Sequence, residues 1–267
     1  MSFESDEVRV AVVSDAHDFS QKELLEICRN AIDGRLIYRA RNVITMVAFR
    51  GTPFAVKAFR IPWGLRKWIY GTLRASKARR SFENAGRLIS LGFSTPMPIG
   101  FVELGTASKL TESFYVSHFT GDENGTFTIR DVLLQSDFPR RLELLKQFGR
   151  FVCMLHNQGV LHRDLSPGNV LVKIIGENPV NYRFDLVDLN RMSFRCLSRR
   201  ERTANLKMLW ATDDDLREIV SGYVEGFNQH HEGLLELAIR ASANHKRVSN
   251  IKEVIKKGLR QALLQKK

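Results

Sequence analysis

Residues 161–172 read "LHRDLSPGNVLV". A histidine, an aspartate, a Pro-Gly turn and an asparagine stand directly ahead of an apolar run. Pro-Gly is a turn signal, and the run "VLV" after it suits a short strand. Asp164 and Asn169 therefore share one turn. Either the turn presents both side chains toward one point, or it is a polar loop at the surface. The rest of the chain has to decide between these.

Upstream of the turn, "PRRLELLKQFGRFVCMLHNQG" carries Leu142, Leu145, Phe148, Val152 and Leu155 at helical spacing and ends at Gly159, so a long amphipathic helix leads into it. Downstream, "VLVKII" and "YRFDLVDL" read as two strands joined by the hairpin loop "GENPVN", with Asp188 at the end of the second. Helical segments fill most of Arg199 to Lys267. The chain before residue 120 has a different texture. Residues 20–30 suit a short helix capped by Ser20. "RLIYRARNVITMVAF" and "PFAVKAF" are strand runs separated by the turn signal "RGTP". "SKARRSFENAGRLISLG" is a helix stopped by Gly92, and "FSTPMPIGFVEL" and "ESFYVSHFT" supply further strands. The expectation is an α+β, two-lobed chain, with a β-rich lobe over 1–119 and a mainly helical lobe over 120–267.

Composition narrows the class. A chain of 267 residues with 43% hydrophobic and 26% charged side chains is long enough for two lobes with real cores. Its 41 Lys and Arg against 29 Asp and Glu give a net charge of +12, which attracts polyanions: nucleic acid, nucleotide or an anionic membrane surface. Cys28, Cys153 and Cys196 are odd in number and far apart, so neither a disulfide framework nor a zinc site is indicated and a reduced cytoplasmic setting fits. The N-terminus lacks the basic-then-apolar pattern of a secretion signal, and no apolar run has the length of a membrane span.

The polar positions carry the chemistry. Lys57 stands inside the apolar strand "FAVKAF", where an inward-facing ammonium calls for an anion and an edge position calls for none. Glu83 lies on the helix that follows, where a solvated glutamate is the ordinary reading. Asp164 and Asn169 combine a carboxylate, able to take a proton from an attacking hydroxyl, with a neutral oxygen ligand for magnesium. Asp188 adds a second hard oxygen at a strand end, suited to a magnesium ion bridging phosphates. Any one of these is common. The ordered set of strand Lys, helix Glu, HRDxxxxN and hairpin Asp is not, and it matches the protein-kinase motif set, "HRDL" included.

From about residue 35 to 230 the chain resembles the protein-kinase-like superfamily. That resemblance implies a bilobal fold, an antiparallel-sheet N-lobe with one key helix, and a mainly helical C-lobe. It implies that Lys57 holds the α- and β-phosphates of ATP, that Glu83 orients Lys57, and that Asp164 takes the acceptor proton. Asn169 and Asp188 would hold Mg2+, and His162 would support the loop from within. The departures are informative. No G-x-G-x-x-G precedes Lys57, where "YRARNV" stands instead; the DFG position reads Asp188-Leu189-Asn190; no A-P-E follows. The activation segment is thus truncated, with no room to hold a peptide. Through "FAVKAFRIP", "SKARRSFENAGRLISLGFSTPMPIGFVE", "LHRDLSPGNVLV" and "FDLVDLNRMSF" the chain is most similar to the lipopolysaccharide core kinases, the Kdo/heptose kinase family. This likeness implies ATP-dependent phosphorylation of an inner-core sugar hydroxyl, on Kdo attached to lipid A in the first place and on heptose in the second.

Residues 60–80 hold seven basic side chains and no acid, interleaved with Trp63, Trp68 and Tyr70, as a bilayer interface favours. They suggest peripheral contact with an anionic membrane at the cytoplasmic face of the inner membrane, with an anionic glycolipid as acceptor, no nucleic acid and no stable protein partner. The C-terminal "IKEVIKKGLRQALLQKK" suits either the same role or a helix with a solvated basic face. Arg191, Arg195, Arg199, Arg200 and Arg202 suit anion recognition or ordinary surface charge. Two competing readings stay open: an atypical RIO-like protein Ser/Thr kinase, and a pseudokinase scaffold that binds polyanions.

Overall fold

Six strands rich in β-branched and aromatic residues form an antiparallel sheet: β1 (Val8–Val13), β2 (Arg35–Arg39), β3 (Asn42–Phe49), β4 (Thr52–Arg60), β5 (Pro98–Thr106) and β6 (Lys109–His118), in the order β1-β5-β6-β4-β3-β2. The computed structural model describes residues 7–60, 75–106, 109–121, 125–177, 180–226 and 233–264. Two units result, Met1–Thr126 with Asp185–Arg191, and Phe127–Phe184 with Met192–Lys267. The stretch Asp185–Arg191, which the sequence reading left with the helical lobe, thus belongs to the first unit. Most of the basic, aromatic segment 60–80, namely 61–74, and the C-terminal side chains from 252 onward lie outside the described residues. Among the described residues, no helix is long and apolar enough to cross a membrane.

The β3–β4 hairpin has full register from Asn42 opposite Phe59 to Phe49 opposite Thr52. Its turn is Arg50-Gly51, at φ 50° and 76°, the pair of positive φ values that matches the strand twist. Helix α1 (Gln21–Asn30) starts at the expected cap. Glu23 N–H donates to Ser20 Oγ, and the Glu23 carboxylate accepts from the Ser20 N–H at 2.8 Å, a capping box worth about 1 kcal/mol. It buries Leu24, Ile27 and Cys28 against Val43, Val47, Phe54, Val56, Val102, Phe114 and Val116. Each such Leu or Ile contributes about 1.5–3 kcal/mol. The opposite face carries Phe59, Phe101 and Tyr115 with Val10 and Val12, and packs against Ala78 and Phe82 of helix α2 (Lys77–Ser90). Side chains alternate along a strand, so Lys57 shares the α2 side of the sheet with Phe59.

In the second unit the elements are β7 (Phe127–Thr128), α3 (Ile129–Leu134), α4 (Arg141–Asn157), β8 (Val160–His162), β9 (Val170–Glu177), β10 (Val180–Leu186), β11 (Met192–Phe194), α5 (Arg199–Leu206), α6 (Asp213–Glu225) and α7 (Leu234–Leu264). Helix α4 packs on α6 with backbones in contact. A Cβ at Gly149 would lie 2.0 Å from Ile219 O, and one at Gly222 would lie 1.9 Å from Lys146 O. Two glycines facing each other make this crossing possible. The buried face of α4 holds Leu144, Leu145, Phe148, Val152 and Leu155, whereas Leu142 is 59% exposed. Leu142 sits in the first turn of the helix. Arg141 there pairs at 2.5 Å with Asp215, which is 2% exposed and anchors the start of α6.

Candidate active site

In the second unit, β8 delivers the chain into the turn that decides the reading. Pro167–Asn169 forms a single 3-10 turn, and β9 begins at Val170. The Asp164 carbonyl accepts from Ser166 N–H at 2.7 Å and from the Asn169 side-chain amide at 2.9 Å. Because the Asn169 nitrogen is the donor, its Oδ1 is the atom left to act as a ligand. Gly168 has no left-handed φ, so backbone strain does not explain it; a Cβ there would lie 2.6 Å from an Arg130 Nη2. The glycine makes room for that guanidinium beside the turn.

The turn is held from within. His162 is 1% exposed, and its Nδ1 accepts the Asp164 N–H at 3.2 Å. The Asn205 side-chain amide donates to the His162 carbonyl at 3.0 Å, and its Oδ1 meets His156 Nε2 at 3.1 Å. His156 Nδ1 lies 2.8 Å from the Tyr223 hydroxyl. Since Asn205 turns its amide toward His162, His156 Nε2 donates to Oδ1 and Nδ1 accepts from Tyr223. Burial outweighs the hydrogen bond to Asn205 and pushes the His156 pKa down to about 4, which keeps the ring neutral.

In the first unit, Lys57 Nζ pairs with Asp188 Oδ1 at 2.6 Å, with the two side chains 14% and 26% exposed. An anion thus meets the strand lysine, as an inward position requires. Asp188 has φ 60°, a left-handed conformation that Asp tolerates better than most residues. The backbone on both sides is pinned. Thr95 Oγ1 donates to the Leu186 carbonyl at 2.7 Å, Asn84 to the Leu189 carbonyl at 2.7 Å, and Arg80 to the Asn190 carbonyl at 2.9 Å. The Asn190 side-chain amide donates to Asp188 Oδ1 at 2.5 Å.

Lys57 and Asp188 are therefore brought together, and so are Asp164 and Asn169. Glu83 is not joined to Lys57. It pairs with Arg79 one turn earlier at 2.7 Å and is half exposed, while the residues α2 turns toward 189–190 are Arg80 and Asn84. Of the arginine cluster, Arg195 pairs with Glu201, and Arg202 donates to Asn157 at 2.7 Å and to the Leu197 carbonyl at 3.3 Å, which are local structural roles. Sequence reasoning missed Asn84, Asn190, Asn205, His156 and Tyr223. The only local signal was burial of polar types, Asn205 and His156 lying on otherwise apolar helix faces. After Asp188 the chain reaches α5 through one 3-10 turn and the short β11, so the truncated segment is present as expected.

The model of the lipopolysaccharide kinase (Kdo/WaaP) family matches residues 65–223. Among solved structures, WaaP in complex with acyl carrier protein superposes with a TM-score of 0.59 at 19% identity, over 88% of this chain and 98% of that one, which indicates a shared fold. The Rio2 kinase–ADP/Mg2+–phosphoaspartate complex from Chaetomium thermophilum aligns with a TM-score of 0.45 at 14% identity, over 85% of this chain and 76% of that one. No curated protein sequence matches the chain.

Proposed function

The chain belongs to the lipopolysaccharide kinase (Kdo/WaaP) family, so it is a phosphotransferase that uses ATP, and from that premise we propose that it phosphorylates a hydroxyl of a Kdo residue attached to lipid A. The observation that carries the catalytic part is the 161–172 turn, where the Asn169 amide bonds to the Asp164 carbonyl at 2.9 Å. That bond orients Asn169 Oδ1 as a ligand on the same turn as a carboxylate. Asp164 is the base that takes the acceptor's proton. Lys57 binds the α- and β-phosphates. Asn169 Oδ1 and the Asp188 carboxylate are hard oxygen donors of the kind Mg2+ takes, and they are the residues that would hold it. When bound, magnesium supplies charge neutralisation on the β- and γ-phosphate oxygens.

Two ion pairs have to exchange for this chemistry. Lys57 gives up Asp188 for phosphate, and Glu83 gives up Arg79 to orient Lys57. The second exchange costs little, because an exposed i,i+4 pair is worth about 0.3–0.5 kcal/mol. The acceptor class follows from the family and from the charge of +12. Kdo is a sugar acid and lipid A carries phosphates, so the excess of cations suits an acceptor built on Kdo–lipid A, and the choice of Kdo over heptose rests on the family likeness. Residues 60–80 are the segment for peripheral contact with the cytoplasmic face of the inner membrane. WaaP is solved with acyl carrier protein, so such a carrier joins the glycolipid as a candidate partner, in place of the expectation of none.

The test is transfer of label from Mg-ATP to Kdo-bearing lipid A, to the same acceptor extended with heptose, and to a generic protein substrate. Label on the Kdo-bearing lipid supports the reading. Label on the heptose-extended acceptor alone moves the site to heptose, label on protein restores the atypical protein kinase, and nucleotide binding without turnover restores the scaffold.

A further inference from the structure

No glycine-rich loop precedes Lys57. The β2–β3 turn that takes its place in chain order holds Ala40 and Arg41, closed by a bond from Ala40 N–H to the Asn42 carbonyl at 3.0 Å. A glycine-rich loop cradles phosphate with bare backbone amides, which side chains of this size prevent. An arginine at the tip meets phosphate with its guanidinium instead.

Lys77, the first residue of α2, supplies a second observation. Its ammonium stands 5.8 Å from the centre of the Phe59 ring, and the Lys57 ammonium stands 5.4 Å from the centre of the same ring. Two ammonium groups share one aromatic side chain, yet only Lys57 has a carboxylate. The Lys77 ammonium makes no hydrogen bond or ion pair with any described residue, and the first turn of α2 contains no acid. Arg80 reaches the Asn190 carbonyl, and Arg191 follows directly. Burial, and then the charges of Arg41, Arg191 and Arg80, hold the Lys77 ammonium below its usual range, while Asp188 opposes them. Lys57 and Lys77 thus both feel the Asp188 carboxylate, and Arg41, Arg80 and Arg191 add their positive charge around Lys77. Such an excess is stabilised by an added polyanion, and a half-buried ammonium without an acceptor marks where that anion would bind.

We propose that Lys77 and Arg41 clamp the polyphosphate of the bound nucleotide, performing with side-chain cations the task a glycine-rich loop performs with amides. This assignment rests on the reading of the chain as an ATP-dependent kinase. The same chemistry would suit a phosphate or carboxylate of the acceptor, and the experiment separates the two sources.

Binding of Mg-ATP, Mg-ADP and AMP is measured by calorimetry on the full chain, with wild type, Lys77→Met, Lys77→Arg and Arg41→Ala. Lys77→Met is expected to weaken Mg-ATP by about ten- to a hundredfold, the loss of one charged hydrogen bond, with AMP changed less than about twofold. Lys77→Arg retains most of the affinity. Arg41→Ala, being more exposed, weakens Mg-ATP by about three- to tenfold. Lys77→Met removes a crowded cation and should melt no lower than wild type; should it fail to fold, Arg41→Ala still decides. In transfer assays both variants raise KM for ATP and leave KM for the acceptor unchanged. Unchanged Mg-ATP affinity, or an equal loss for AMP, overturns the clamp. A rise confined to the acceptor's KM gives these cations to the acceptor and also overturns it. A wild-type chain that binds no Mg-ATP overturns the kinase reading itself, and the clamp with it.

Discussion

Asp164 and Asp188 are both aspartates of the proposed site, and the two units hold them in opposite ways. Around Asp164 the supports are neutral and buried: Tyr223, His156, Asn205 and His162 form one hydrogen-bonded series ending at the backbone of the turn. Around Asp188 the side-chain partners are a lysine and an amide in half-open surroundings, and only the flanking backbone is pinned by Thr95, Asn84 and Arg80. A buried neutral network resists rearrangement because any broken bond leaves a desolvated polar group. An ion pair in partial contact with water exchanges readily for a new charge. On the proposed assignment, the Asp164 turn is set in place before any ligand arrives, while Lys57 and Asp188 hold one another until ligands replace them.

Removing the Asp164 carboxylate gives the largest expected effect on this contrast. Asp164→Asn should lower kcat by about 10²–10⁴-fold with an unchanged melting curve, as initial rates at saturating Mg-ATP would record. A fall smaller than tenfold would remove Asp164 from the role of base. Next comes the buried series. Asn205→Leu leaves the His162 carbonyl and His156 Nε2 without partners, at about 1–3 kcal/mol for each unsatisfied group, read by urea unfolding. Loss of activity beyond the loss of folded protein would show that the series positions the turn as well as stabilising the unit.

Acid tests the same series without mutation. The His156 pKa is about 4 in the folded chain against an ordinary 6.5, so the unfolded chain binds the proton more readily. The stability this residue contributes is fully present above pH 6.5 and is lost as pH falls from there toward about 4, at a limiting slope near 1.4 kcal/mol per pH unit. Urea unfolding at pH 7 and pH 5 should show the loss, and a His156→Phe variant should show a smaller one. The smallest effect belongs to the exposed side of α2. Arg79→Ala should cost about 0.3–0.5 kcal/mol and leave kcat/KM nearly unchanged, since it only releases Glu83. A marked fall in kcat/KM would mean that the Arg79–Glu83 pair is itself part of the active arrangement.

What the sequence made legible was local. The turn at 161–172, the helix before it, the hairpin after it, the Ser20 cap and the Arg50-Gly51 turn are each specified by residues close together in the chain. The strand β1 was not legible, because "VRVAVV" has no alternation and pairs only with β5, far along the sequence. Leu142 carried the right spacing, yet it is exposed in the first turn of α4. The helix bearing Glu83 was legible from its apolar spacing and its stop at Gly92, whereas the face it turns toward Asp188 was not. A rotation of one residue separates Glu83 from Asn84, and only the packed unit decides which of them meets the backbone at Leu189. The network behind His162 joins residues from α4, α5 and α6, and no local pattern announces such a meeting.

The most direct measurement is the product. Kdo–lipid A incubated with Mg-ATP and either wild type or Asp164→Asn would be isolated, weighed by mass spectrometry and mapped by phosphorus–proton NMR. A single added phosphate, correlated to a ring proton of Kdo and missing from the Asp164→Asn reaction, is the expected result. An unmodified glycolipid from an enzyme that still binds Mg-ATP would contradict the assignment of Kdo, and an equal yield from Asp164→Asn would contradict the assignment of Asp164.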